Sequence, residues 1–275
     1  TDVLDMRYLL PLAAVYFDDP YFKILYDRGE EAADCLFSAL WLFSPQGIKR
    51  WQEMPGRRVE DIKSKSFPCA GWYVMRENDN YLIVSCGPNG QNGNGGHAHN
   101  DKLSFEWHVR GKDIIVDPGT YLYTSDPPWR NRFRSTQSHN TVTVDGQEQN
   151  RFSGDDSSLF LLNEDSKPEI VRWESDEQMD VFVGRHSGYA RLRQPVIHER
   201  KIVWDKSNAC ALEIVDIFTG QGEHSLTWNF HCFSEVAREL EIIAEPLSWR
   251  VETAYFSPFY GRKEDIHKEC NPPLR

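Results

Sequence analysis

Period-two alternation is the feature that most constrains this chain. In "KLSFEWHV", Leu103, Phe105, Trp107 and Val109 fall on one side, and Lys102, Ser104, Glu106 and His108 on the other. Side chains alternate like this only on an extended strand with one buried face. The pattern recurs from about residue 70 to the end. "GWYVMRENDNYLIVSCG" is two apolar runs around a polar turn, a hairpin signature. "RGKDIIVDPG", "HNTVTVDGQ", "DVFVGRHSGYARLR", "VIHERKIVWD", "CALEIVDIFTG" and "HSLTWNFHCF" read as further strands, several closed by Gly or Asn. No helix-length apolar pattern interrupts them, which predicts a large antiparallel β-sandwich over residues 69–275. Hydrophobic residues make up 40% of the 275, enough for a substantial core, and the nine Trp add bulk to it.

The first 54 residues obey a different rule. "DVLDMRYLLPLAAVYF", "DDPYFKILYDRG" and "GEEAADCLFSALWLFSP" carry apolar residues near helical spacing. Pro11 is expected to bend or interrupt the first. Asp19 and Pro20 form a cap and a first helical position for the second, and the third stops before Pro45. Three short helices cannot make a stable helical domain, so residues 1–54 read as the tail of a larger one. Their tyrosines (Tyr8, Tyr16, Tyr21, Tyr26) are expected in core or interface. Residues 55–68, with Pro55, Gly56 and several Lys and Arg, read as the connection. The chain starts at Thr1, so a leader or an upstream domain is expected to precede it.

A formal net charge of −11 without a long basic run argues against a nucleic-acid partner. It does not exclude an acidic substrate, because steering depends on local charge. "WRNRFRS" is such a basic place: on a strand, Arg130, Arg132 and Arg134 would share one face, as an anion contact or as a charged sheet edge. The six Cys are scattered without a CxxC, and most are expected as buried thiols. They leave the compartment open, with a periplasmic or secreted location the favoured reading. No apolar run is long enough to span a membrane.

Chemistry concentrates at residues 91–146. His97 and His99 are one residue apart and would point the same way on extended chain. One of them can bind a metal while the other faces a substrate. Asp117 ends the apolar strand "IIV" ahead of Pro118-Gly119, and His139 opens "NTVTV". Two imidazoles, a carboxylate and a water form a usual zinc set, with Asp101 near enough to be a ligand or to orient one. The Gly-rich "GPNGQNGNGG" can fold closely around a ligand, or be merely flexible. The other histidines read as satisfied surface or core residues, except His231 in "TWNFHCF", which fits either role.

The run "GHAHNDKLSFEWHVRGKDIIVDPGTYLY…WRNRFRSTQSHNTVTVDGQEQ" resembles the C-terminal β-domain of heparinase II/III-like polysaccharide lyases, a family that includes alginate lyases. The likeness continues through "GRHSGYARLRQPVIHERKIVWD", "VDIFTGQGEHSLTWNFH" and "SPFYGRK". "LLPLAAVYFDDPYFK" and "ALWLFSPQG" resemble the last helices of the family's α/α-toroid. The fold implied is mainly β: a large antiparallel β-sandwich preceded by a few α-helices of a truncated α/α-toroid. By resemblance, His99, Asp117 and His139 match zinc ligands that are structural for the site. His97 matches a histidine that points into the cleft, and Tyr121 or Tyr123 a tyrosine beside it. Arg130 and Arg134 are the candidate substrate-binding arginines.

The implied reaction is β-elimination at a uronic-acid glycosidic bond, on glycosaminoglycan or alginate-like polysaccharide. A base takes the C5 proton, an acid protonates the leaving O4, and donors neutralise the carboxylate. The toroid's own Tyr, His and Asn are not in this chain. The fragment is therefore expected to be inactive alone, and its bared surface leaves room for self-association. The alternatives are a non-catalytic carbohydrate-binding sandwich stiffened by its metal, and a hydrolase using zinc-bound water.

Overall fold

The structure is a computed structural model. It describes residues 9–23, 32–56, 62–155, 158–237, 241–243 and 250–270, with the side chains of 32–40 outside the description. Tyr8, Tyr26 and Cys35 therefore lie outside the described residues or side chains, as does much of the second expected helix. The chain divides into two compact units, residues 1–63 and 64–275.

In the first unit, helix α1 (Leu9–Phe17) runs through Pro11 without the expected interruption. Proline in a first turn removes an N–H that has no helical partner there. Asp19 caps the next turn, its Oδ1 accepting from the Tyr21 N–H at 2.8 Å, but the described residues Pro20–Lys23 form a 3-10 turn. Helix α2 (Ala32–Glu53) is broken at Ser44, which has φ 62°. The first segment thus ends before Pro45 as expected, and Pro45 starts a second, unanticipated segment. Ala14, Val15, Trp51 and Met54 form the core of this unit. Lys23 closes the α2 terminus, donating from Nζ to the carbonyls of Trp51, Gln52 and Met54. Tyr16 is exposed and Tyr21 half-buried.

The second unit consists of three antiparallel sheets among its described residues. The first joins β1 (Lys65–Phe67), β2 (Trp72–Glu77), β3 (Asn80–Ser85), β4 (Phe105–Val109) and β5 (Lys112–Ile115), in that order. The second has the order β10 (Glu213–Gly220), β9 (Val196–Asp205), β8 (Met179–His186), β7 (Glu169–Ser175). The third has the order β12 (Arg250–Phe259), β13 (Arg262–Cys270), β11 (Leu226–Cys232), β6 (Val142–Val144). Tyr73, Met75, Leu82, Val84, Phe105, Trp107 and Val109 of the first sheet pack with Phe182, Ile202 and Trp204 of the second. The expected apolar face of "KLSFEWHV" is buried, and the hairpin over 72–85 is present.

Two expectations are corrected. Lys102 and Ser104, placed on the outer face, are themselves buried, because Leu103 (φ 62°) precedes the strand and breaks its alternation. The arginine run is not a strand. Asp126 accepts from the Trp129 N–H at 3.2 Å, and Pro127 and Pro128 occupy the first turn of helix α3 (Pro127–Phe133). Arg130 and Arg134 therefore turn inward together at helical spacing and are buried, while Arg132 stays exposed. The strand β7 and the hairpin β12–β13 were not among the segments read as strands.

Candidate functional site

The glycine-rich loop is held, not loose. Gly95 has φ +61°, and a Cβ there would lie 2.9 Å from the Leu162 carbonyl oxygen. The loop is pinned to residues 160–164: Leu162 N–H donates to the Asn94 carbonyl (3.0 Å), Asn94 Nδ2 to the Phe160 carbonyl (3.0 Å) and Asn89 N–H to Glu164 (3.1 Å). Arg134 holds the same segment, donating to the carbonyls of Ser158, Leu159 and Leu161. It is 0% exposed, so in this arrangement it has no surface to offer a substrate.

Asn140, unremarked in the sequence, fixes the neighbouring histidine. Its Nδ2 donates to the carbonyls of Phe105 and Val116, both at 2.9 Å, and its Oδ1 accepts from the His231 backbone N–H at 2.8 Å. His231 is thereby a packing residue, buried and held neutral, its pKa pushed down to about 3 first by burial and then by Lys268. Arg200 supports Asn140 from the second sheet, donating to the carbonyls of Asn140 (2.7 Å) and Leu103 (2.9 Å) while paired through two bonds with Asp216. Only the tertiary fold links residues this far apart; the local pattern carried no signal for them.

These supports bring the candidate ligands together. His139 Nδ1 lies 2.6 Å from Asp117 Oδ2, and the His99 and His139 rings stand 5.2 Å apart. Arg130 Nη1 is 2.9 Å from His99 Nε2, and its Nη2 donates to the Gly96 carbonyl at 3.2 Å. A guanidinium only donates, so His99 Nε2 is the lone-pair nitrogen. Burial, then His139 and Arg130, pushes the His99 pKa down to about 3, which keeps the ring neutral. Burial opposes charge on His139, but Asp117 outweighs it and raises its pKa. Asp117 also resists burial and stays ionised, held by His139. Asp101 sits beside them, 3.2 Å from Lys102 Nζ.

The residue types are those of a divalent-ion site, two imidazoles and an ionised carboxylate, with His139 buried and His99 and Asp117 half-buried, and a metal on His99 would have to displace Arg130 from its Nε2 lone pair. His139 Nε2 is buried without a hydrogen-bond partner, an atom that calls for one. The side chains nonetheless stand as a hydrogen-bonded network, and no three His, Cys, Asp or Glu among the described residues are arranged as a ligand set.

His97 is exposed. Its ring meets Tyr123 edge-on at 5.5 Å and Phe160 at 5.8 Å, and Tyr123 also packs against Tyr260 at 5.6 Å. The Arg130 guanidinium lies 5.2 Å from the Tyr123 ring. Tyr121 instead packs on Trp129 and Phe133. Of the two tyrosines left open by the sequence, Tyr123 is the one beside His97. Phe160 and Tyr260 complete the patch and were missed, since each comes from a distant loop.

The family model for the heparinase II/III-like C-terminal domain matches residues 60–258. The chain belongs to that family. This heparinase II/III-like C-terminal domain is 25% identical over 154 residues to a heparin-sulfate lyase of Pedobacter heparinus, covering 54% of this chain and 20% of the relative. It is 23% identical over 180 residues to a heparin-sulfate lyase of Bacteroides stercoris, covering 62% of this chain and 23% of the relative. The solved structure of a heparan sulfate lyase from Pedobacter heparinus superposes with a TM-score of 0.64 at 17% identity, over 86% of this chain and 38% of that one. The chain thus spans about a fifth of the length of the curated relatives it matches, and the structural likeness shows the β-sandwich fold.

Proposed function

We propose that this chain is the C-terminal portion of a polysaccharide lyase that cleaves a uronate-containing polysaccharide of the glycosaminoglycan class by β-elimination. The observation that carries the reading is the exposed His97 set against the half-buried Tyr123, with the buried Arg130 behind them in contact with His99. In the reaction a base removes the proton at C5. The C–H electrons form the C4–C5 double bond, the C4–O4 bond breaks, and an acid protonates O4. Imidazole and phenol are both fit for these transfers, so His97 and Tyr123 are the candidates. The aromatic patch of Tyr123, Phe160 and Tyr260 suits the apolar face of a sugar.

A divalent ion, zinc by its donor set, belongs to this proposal. His99, Asp117 and His139 would hold it, and it would supply a fixed positive charge that ties their three segments together. Arg130 orients His99 and backs Tyr123 without itself reaching solvent.

The test is ultraviolet absorbance of unsaturated product from the full-length parent enzyme on heparan sulfate and alginate. Product formation, reduced in His97→Ala, is expected. Saccharide binding without product favours a carbohydrate-binding module, and saturated product a hydrolase. This chain alone is expected to form no product, because base, acid and carboxylate neutraliser must surround one ring together. Steady product from the fragment overturns that part.

A further inference from the structure

A second surface feature lies outside the His97 patch. Arg132, the exposed arginine of α3, places its guanidinium carbon 4.6 Å from the Tyr255 ring and 5.4 Å from the Trp129 ring. Lys263, from β13, places Nζ 4.1 Å from Trp129 and 4.5 Å from Tyr255. The two rings meet edge to face at 4.9 Å. Two cations from different elements thus converge on one pair of rings. Among the described residues, neither has a carboxylate partner, although nearby Arg262 and Lys268 are paired with Glu264 and Glu252.

That arrangement is unusual for a chain of net charge −11. The ring faces offset part of the repulsion between two close cations, and an anion between them would offset the rest. Beside it opens a cavity of about 390 Å³ whose wall includes Trp129, Asn131, Arg132, Gln137 and Glu148, the last with its Oε2 accepting from Asn100 and Thr136. Such a volume suits a small polar ligand. The hairpin β12–β13 connects the two patches: Tyr260 at its tip packs on Tyr123, and Lys263 reaches Trp129.

We infer that Trp129, Arg132, Tyr255 and Lys263 form an accessory subsite for an anionic sugar, with the cations on its sulfate or carboxylate and an aromatic ring on its apolar face. The subsite would take a residue of the polymer other than the one whose bond is cleaved. The identity of the ligand as a saccharide rests on the function proposed above; the anion site rests on this geometry.

Isothermal titration of the chain with a heparan sulfate hexasaccharide tests it without any turnover. Wild type is expected to bind. Arg132→Ala/Lys263→Ala is expected to bind at least about tenfold more weakly and with a shallower salt dependence, at an unchanged melting temperature. Arg185→Ala, at an exposed arginine of β8, is expected to keep most of the affinity. A chemically desulfated hexasaccharide separates the sources: retained affinity assigns the carboxylate, lost affinity the sulfate. No binding by wild type, or equal binding by the double variant, overturns the subsite. If the parent enzyme yields no unsaturated product while this binding persists, the lyase reading falls and the subsite stands.

Discussion

Asp117 accepts from Nδ1 of His139 at 2.6 Å, which leaves His139 Nε2 buried without a partner. A carboxylate on one ring nitrogen is the arrangement that raises the basicity of the other toward a metal. The expected finding is about one equivalent of a divalent ion per chain, by elemental analysis after purification without chelator. His139→Ala should lose it and melt lower, because the ion is linked to folding. Metal-free protein that melts at the same temperature with and without added zinc would sink the assignment.

Asn140 ties β4, β11 and the residue after β5 together, and its loss should be felt in stability. Asn140→Ala removes its bonds to the carbonyls of Phe105 and Val116 and to the His231 N–H. At roughly 1 kcal/mol for each buried bond lost, a total near 3 kcal/mol is expected. That corresponds to a melting temperature roughly 6–12 °C lower. Asn140→Asp should be at least as damaging, since a carboxylate would face two carbonyls. Urea unfolding of both variants checks this; a change within about 0.5 kcal/mol would refute the hub role.

His97, by contrast, is exposed and makes only ring contacts among the described residues. In the full-length parent, His97→Ala should cut turnover by about 10²–10⁴-fold, while its unfolding free energy changes by less than about 0.5 kcal/mol. Equal losses of activity and stability would make it a structural residue.

Acid should weaken the fold through a buried relay. The Gly188 N–H donates to His186 Nδ1, whose Nε2 lies 3.3 Å from His198 Nδ1, and His198 Nε2 lies 2.7 Å from Asp216. Burial holds both imidazoles below their ordinary pKa, His186 well below, despite the Asp216 carboxylate beside His198. The unfolded chain protonates near pH 6.5 and the folded one does not, so it is the unfolded state that gains protons as the pH falls. This stabilisation is complete above about pH 6.5 and declines below it by up to about 1.4 kcal/mol per pH unit for each histidine. Urea unfolding at pH 7.5, 6.5 and 5.5 should show the decline, and His186→Gln should make it shallower. Equal stability at all three pH values would contradict a neutral relay. Asp216, whose pKa is depressed by Arg200 and His198 against the cost of burial, acts lower: its contribution is lost only below about pH 4.

What the sequence determined by itself was whatever a local period or a short motif encodes. Alternation at Phe105, Trp107 and Val109 places them inward because a strand repeats every two residues. The turn between the runs at 72–77 and 80–85 closes a hairpin within a few residues. The clustered His97, His99, Asp117 and His139 were legible as chemistry because residues of these types stand so close in the sequence; the fold bonds His139 to Asp117 and sets the His99 ring 5.2 Å from that of His139, though among the described residues no three such groups form a ligand set. Tertiary structure decided the rest. The arginine run reads as a strand by its i, i+2, i+4 spacing, but Asp126 and two prolines set a helical start, and that sends Arg130 and Arg134 inward and leaves Arg132 outward. Tyr123 rather than Tyr121 stands beside His97 because Phe160 and Tyr260 arrive from elsewhere in the chain. Asn140 and Arg200 are 60 residues apart, and no period along the chain relates them. Contacts of that span appear only when packed sheets exclude water, and backbone groups left buried between them must find the one polar side chain within reach.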